Sequence, residues 1–226
     1  MGINFRKCLA IFLILFSGCA SFRTDVSGRT DISGLFTRDV VPSKKNPVSV
    51  VFDLYHYQQA IGKDAIPKLL YYPGIKDFDD IFKESLKQLS NINKYETFTN
   101  LASDVDKPER RHNRDSIMRK SDYSIKIDIF REKSFAKHFL GTIVSTLTAT
   151  AIPIGYTWDY SIFVTVTNDQ NQIVGKYKRS ASVTTWYQAF LIFFHSFYVE
   201  EKKTEDIYLE MLSNIFAQIE NENILK

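Results

Sequence analysis

Trp158-Asp-Tyr160-Ser-Ile162-Phe-Val164-Thr-Val166-Thr167, then Asn168-Asp-Gln-Asn-Gln172, then Ile173-Val-Gly175-Lys-Tyr-Lys-Arg-Ser-Ala-Ser-Val183-Thr-Thr185, is the stretch that decides the fold. Trp158, Tyr160, Ile162, Val164 and Val166 alternate with Asp159, Ser161, Thr165 and Thr167. A period of two belongs to a strand with one buried and one wet face. The five polar residues after it form a turn, and Ile173 to Thr185 returns as a second strand, so an antiparallel hairpin is expected. Upstream, Tyr123-Ser-Ile-Lys-Ile-Asp-Ile129 alternates in the same way. Val48 to Tyr57 is β-branched and aromatic, with Val50, Phe52 and Leu54 on one face and Val51, Asp53 and Tyr55 on the other, and a further strand is expected near Tyr95 to Leu101.

Two segments carry helical spacing instead. Asp77 to Ile92 brings Phe82, Leu86 and Leu89 onto one side with Ile81 and Ile92 beside them, and Asp77, Asp79 and Asp80 suit a first turn, where free amide groups favour carboxylates. Thr204 to about Asn221 aligns Tyr208, Leu212, Ile215 and Ile219, with Thr204 as the expected N-cap. The stretch 102–120 mixes Lys107, Arg110, Arg111, Arg114, Arg119 and Lys120 with Asp104, Asp106, Glu109 and Asp115, and reads as a solvated loop. The expectation is one α/β (α+β) domain over 48–226, with a mixed or antiparallel sheet of about five strands and two main helices.

Two apolar segments flank the hairpin. Phe139 to Trp158 holds no charged residue, and in Ser180 to Val199 only His195 titrates near neutrality. One leads into the opening strand and the other leaves the closing strand, so they should emerge side by side. Three outcomes are open: burial as core, an exposed patch docking to a partner or bilayer, or insertion. Helical insertion is opposed by the Thr and Ser content of Leu140 to Thr150, by Gly141, Pro153 and Gly155 and by the marginal length, and strand insertion by the lack of alternation in Ala189-Phe-Leu-Ile-Phe-Phe194. Burial is the preferred reading, and Trp186, Phe190, Phe193 and Phe194 are the candidate docking residues if the patch is exposed.

The amino terminus has a separate logic. Met1 to Lys7 carries Arg6 and Lys7, an apolar run follows from Cys8 to Phe16, and Ser17-Gly18-Cys19 closes it, the layout of a cleaved secretion signal. The run is too short for a span, which takes about 20 apolar residues. Leu15-Phe16-Ser17-Gly18-Cys19 resembles the lipobox of bacterial lipoproteins, with Phe16 where Leu is commonest. The resemblance implies cleavage between Gly18 and Cys19, acylation of Cys19 and attachment to a bilayer without a spanning helix. Ala20 and Ser21, with no Asp after the cysteine, resemble the outer-membrane pattern of enteric-type bacteria, facing the periplasm. The domain plan is 1–18 signal peptide, 19–47 lipidated terminus and polar tether, and 48–226 folded.

Within the tether, Arg23-Thr-Asp-Val-Ser-Gly28 repeats as Arg29-Thr-Asp-Ile-Ser-Gly34. It is a recognition strand or a docking segment or, the preferred reading, a polar spacer with short extended pieces. A fully extended spacer over 20–47 reaches at most about 90–100 Å.

Composition excludes several classes. The chain has 226 residues, 44% of them hydrophobic, ample for a core. Without Arg6 and Lys7, 27 basic residues face 26 acidic ones, which gives no basis for a nucleic-acid partner. Two cysteines, one of them in the signal peptide, make neither a disulfide framework nor a cysteine-based zinc site. Phosphate loops, dinucleotide turns, zinc-protease pairs and nucleophile elbows do not occur. His56 follows Asp53 by three, which on a strand separates them onto opposite faces. His138 and His195 flank the apolar segments and read as structural. No metal, cofactor or catalytic residue is expected.

Gly141 to Phe197 resembles a loosely defined group of small bacterial envelope lipoproteins, on Thr146-Leu147, Pro153, Trp158-Asp-Tyr160, Gly175 and Val183-Thr-Thr185-Trp186. That resemblance implies an envelope location and no reaction. The functional expectation is a non-enzymatic binding or assembly lipoprotein, with the bilayer and an envelope protein as partners and a homo-oligomer compatible. A subunit of an oligomeric envelope pore or transport assembly is the alternative.

Overall fold

The hairpin is formed as its alternation predicts. In the computed structural model, which describes residues 18–28, 46–59, 66–71, 78–104, 107–133, 139–140, 143–144, 154–188 and 200–226, it comprises strands β6 (Ile154–Asn168) and β7 (Ile173–Gln188). Val164 lies opposite Tyr177, and Trp158 opposite Val183. Asn168 closes the turn: its side-chain oxygen accepts from the amides of Gln170 and Gln172, and Asn171 takes a left-handed φ of 59°.

The other elements are β1 (Gly18–Arg23), β2 (Val48–Gln58), β3 (Lys68–Leu69), α1 (Phe78–Leu86), β4 (Ile92–Asn100), α2 (Pro108–Met118), β5 (Tyr123–Glu132) and α3 (Glu200–Asn221). The sheet runs β1-β7-β6-β5-β2, and the far edge of β2 is shared by β4 along Val48–Tyr55 and by β3 at Tyr57 and Gln58. β2 is parallel to β4 and β5, and the other pairings are antiparallel. The domain is therefore α+β with a mixed sheet, of seven described strands rather than about five. The two-residue β3 and the edge strand β1 are too short or too polar to show an apolar period of their own.

One sheet face carries the core. Phe52 and Leu54 of β2, Ile125 and Ile127 of β5, Ile162 and Val164 of β6 and Val183 of β7 are buried against Ile207, Met211, Leu212, Ile215 and Phe216 of α3 and Phe82 of α1. Phe52 meets Phe82 edge-on at 5.0 Å. Each such side chain removed from water contributes about 1.5–3 kcal/mol. α3 is buried on more than its predicted face, because the sheet lies on one side of it and α1 on another.

Arg179, buried among these groups, donates through Nε to Asn214 at 2.6 Å and through Nη2 to Gln218, tying β7 to α3. Burial lowers its pKa, while Glu222 and Tyr177 act in the opposite sense.

Three expectations are corrected. Thr204 is not an N-cap: α3 begins at Glu200, and the Thr204 hydroxyl lies 3.3 Å from that of Tyr160. The helix expected to reach Ile92 ends at Leu86, where three-residue hydrogen bonds from Lys87 and Gln88 tighten the chain and Ser90 bonds Glu220 at 2.6 Å. The stretch 102–120 contains α2, started by Pro108 with Glu109 in the first turn. No residue of α2 is buried, so it has no apolar period, and polar bonds attach it: Arg110 to the Thr99 carbonyl at 2.6 Å and to Asp104 at 3.0 Å.

Candidate functional site

Cys19, whose motif resembles a lipobox, lies on the edge strand β1, and its register partner on β7 is Tyr187. Gly18 faces Gln188, and Ala20 faces Trp186. Ser21 is buried with its hydroxyl 2.8 Å from that of Thr185, and Arg23 pairs with Glu210 of α3 at 2.8 Å. Beyond the strand, the Thr24 amide donates to the Ser182 carbonyl at 2.8 Å, Val26 is buried, and Ser27 bridges to Ser180. Gly28 has a φ of +77°, and a Cβ there would stand 3.1 Å from the Lys178 carbonyl.

This corrects the tether. Residues 20–28 lie along β7 instead of standing off as a spacer, and within the first hexapeptide Arg23, Thr24 and Ser27 bond to α3 or β7 while Val26 is buried. The second hexapeptide lies outside the described residues. The polarity of the repeat concealed its docking, because an edge strand held by backbone bonds and one ion pair needs little apolar surface.

Trp186 is the one predicted docking residue among those described, and it is 38% exposed. Gly155 lies opposite it on β6, and a Cβ on that glycine would stand 3.2 Å from the indole ring. The apolar segments do leave the hairpin side by side, with Ile154 paired to Tyr187 and Gly155 to Trp186. Phe139 and Leu140 are 54% and 63% exposed, against the preferred reading of burial. Phe190, Phe193, Phe194, His138 and His195 lie outside the described residues.

The sheet face opposite α1 and α3 carries a second constellation. Tyr55 and Tyr57 of β2, Phe130 of β5 and Phe163 of β6 make a row: Tyr57 stacks on Phe130 at 4.7 Å, and Phe130 meets Phe163 edge-on at 5.5 Å. Lys126 lies 4.8 Å from the Tyr55 ring centre and Lys178 lies 4.9 Å from that of Phe163, so cations border the row. Where α2 meets the sheet, Asp53 accepts from the Asn100 amide and, at 3.0 Å, from the Tyr55 hydroxyl, with Arg114 Nη1 at 3.8 Å. Burial raises the Asp53 carboxyl above its ordinary range despite the opposing pull of Asn100 and Arg114. Burial and the neighbouring Asp53 likewise raise Tyr55.

Both Asp53 oxygens are engaged, so the cluster fastens α2 to the sheet. The alternation of β2 placed Asp53 and Tyr55 on one face; Arg114 was missed because α2 has no period to read. His56 occupies the other face, as its spacing from Asp53 requires, buried and edge-on to Phe78 at 4.9 Å.

An open groove of about 490 Å³ between α2 and the β6–β7 turn is lined by polar side chains including Asp115, Arg119 and Asn171. Among the described residues, no three His, Cys, Asp or Glu side chains converge as metal ligands would, and no helix is long and apolar enough to cross a membrane.

Fold and surfaces together define a mixed-sheet α+β domain with one face under α1 and α3 and an opposite face that holds the aromatic, cation-bordered row beside α2. No family model matches the chain, and no curated protein matches it. Solved structures similar to it include the PelC dodecamer from Paraburkholderia phytofirmans, at 7% identity and a TM-score of 0.31 over 90% of this chain and 98% of that one. A point variant of the same dodecamer is 8% identical over the same shares, also at 0.31. A likeness this low carries nothing over about assembly or binding.

Proposed function

We propose that this chain is a lipid-anchored protein of the bacterial envelope, held by acylated Cys19 at the outer membrane on the periplasmic side, where it acts as a non-enzymatic binding or assembly module. The observation that carries this reading is the motif Leu15-Phe16-Ser17-Gly18-Cys19, whose cysteine lies near the start of β1, in register with β7. An acyl group there holds the domain by a corner of its sheet, with no long spacer between lipid and fold. Two or more acyl chains make such an anchor durable, where one is marginal.

The row from Tyr55 to Phe163, uncovered by α1 and α3, supports the binding role, with an envelope protein as the partner class. Mass spectrometry of the mature chain should show an acylated amino-terminal cysteine, and Cys19→Ala should leave the membrane fraction. Crosslinking in intact envelopes should give defined adducts with the wild type that are lost with Phe163→Asp, a change at a 37% exposed position. A free thiol refutes the anchor, and identical adducts from both proteins refute the binding role of this face.

A further inference from the structure

We propose that Trp186, with Phe22 diagonal to it on β1, rests in the head-group layer of the leaflet that receives the Cys19 acyl chains, so that a protein surface and a lipid bind the bilayer together. The inference rests on the lipid-anchored reading above and adds the orientation of the domain.

Distance is the first ground. Ala20 faces Trp186, one register position from Cys19. With about 3.4 Å per residue along a strand and about 4.8 Å between strands, the two Cα atoms are about 6 Å apart. The head-group layer on each side of a bilayer is about 5–8 Å thick. A cysteine joined to glyceride at that layer therefore carries Trp186 into it or to its border.

Exposure and chemistry are the second ground. Trp186 is 38% and Phe22 46% exposed, and the register puts them on the same face, with Gly155 opposite the indole on β6. An indole, apolar in body with one N–H donor, suits the boundary between head groups and hydrocarbon.

Charge is the third. Cys19–Phe22, Ile154–Trp158 and Val183–Gln188 contain no Lys, Arg, Asp or Glu. The first charges appear level with one another: Arg23 is in register with Val183 and Val183 with Trp158, and Asp159 follows one position further on. Three adjacent strands thus present an uncharged end bounded by a charged line, as a domain standing on a bilayer requires.

The test uses the acylated mature protein in phosphatidylcholine–phosphatidylglycerol vesicles containing lipids brominated near the head group. The chain has two tryptophans, so Trp158→Phe leaves Trp186 alone and Trp186→Phe leaves Trp158 alone. Trp158 lies over the Arg131 guanidinium at 4.1 Å and serves as the internal control. Trp186 emission should move to the blue on vesicle binding and be largely lost to the brominated lipid, with Trp158 emission retained. Should Trp158→Phe fail to fold, the Trp186 signal is read as the difference between wild type and Trp186→Phe.

A vesicle-bound, acylated protein whose Trp186 emits as in the Cys19→Ala protein in buffer overturns the inference and leaves the anchor standing. A blue-shifted indole untouched by brominated lipid shows that a protein surface covers it, and also overturns the inference. Equal loss of Trp158 and Trp186 refutes the orientation. Absence of acylation by mass spectrometry overturns the inference together with the reading beneath it.

Discussion

Acidification should destabilise this domain through His56. The imidazole is 3% exposed, its Nε2 has no hydrogen-bond partner among the described residues, and Phe78 packs against it. Burial lowers its pKa from 6.5 to about 4. The fold holds the neutral ring, whereas the unfolded chain takes up a proton below about pH 6.5. Stability is therefore complete above the unfolded value and falls as pH drops from about 6.5 toward 4. Linkage between these two values gives a loss of about 2 kcal/mol by about pH 5 and about 3 kcal/mol by about pH 4.

Urea unfolding in a Cys19→Ala background at about pH 7.5 and about pH 5 measures the loss, and His56→Leu in the same background should lack it. Asp53, raised by burial, works in the opposite sense, since its ionisation penalty is relieved as pH falls. It is common to both proteins and cancels in the comparison. An equal pH dependence in the two proteins, or an imidazole titrating near 6.5 by NMR in the folded chain, would refute the reasoning.

Three further outcomes follow from the packing and the polar contacts. Ile162→Ala, at a fully buried position, should cost about 2–5 kcal/mol in urea unfolding, whereas Ile173→Ala, 55% exposed, should stay within about 0.5 kcal/mol of wild type. Arg114→Ala takes the nearest cation from buried Asp53 and should cost about 1–3 kcal/mol, with proteolysis appearing first in α2, none of whose residues is buried. Gly28→Ala meets both a positive φ and the Lys178 carbonyl, and should lower stability by about 1–3 kcal/mol and open residues 20–28 to protease ahead of the sheet.

Much of the sheet was legible in the sequence. The alternation through β5 and β6 showed which side chains turn inward, and Ile125, Ile127, Ile162 and Val164 are buried as that pattern requires. The spacing of Tyr208, Leu212, Ile215 and Ile219 likewise located α3. What escaped were the elements held by polar contacts. β1 is fixed by backbone pairing, Ser21–Thr185 and Arg23–Glu210, and α2 by Arg110 and Arg114. Neither leaves a periodic apolar trace, and each partner lies on another element.

The candidate site divides in the same way. Cys19 is marked by the five residues that end at it, a linear signal that needs no fold, and the inward or outward sense of each strand residue is set by a two-residue repeat equally local in origin. That Cys19 lies one register position from Trp186, and that four aromatic side chains from three strands make one row, are properties of the strand register, while Arg114 reaches Asp53 through the packing of α2 on the sheet. Register is chosen by the sheet as a whole, through burial of its inner face under α1 and α3, since slipping one strand by a residue would turn its apolar side chains to water.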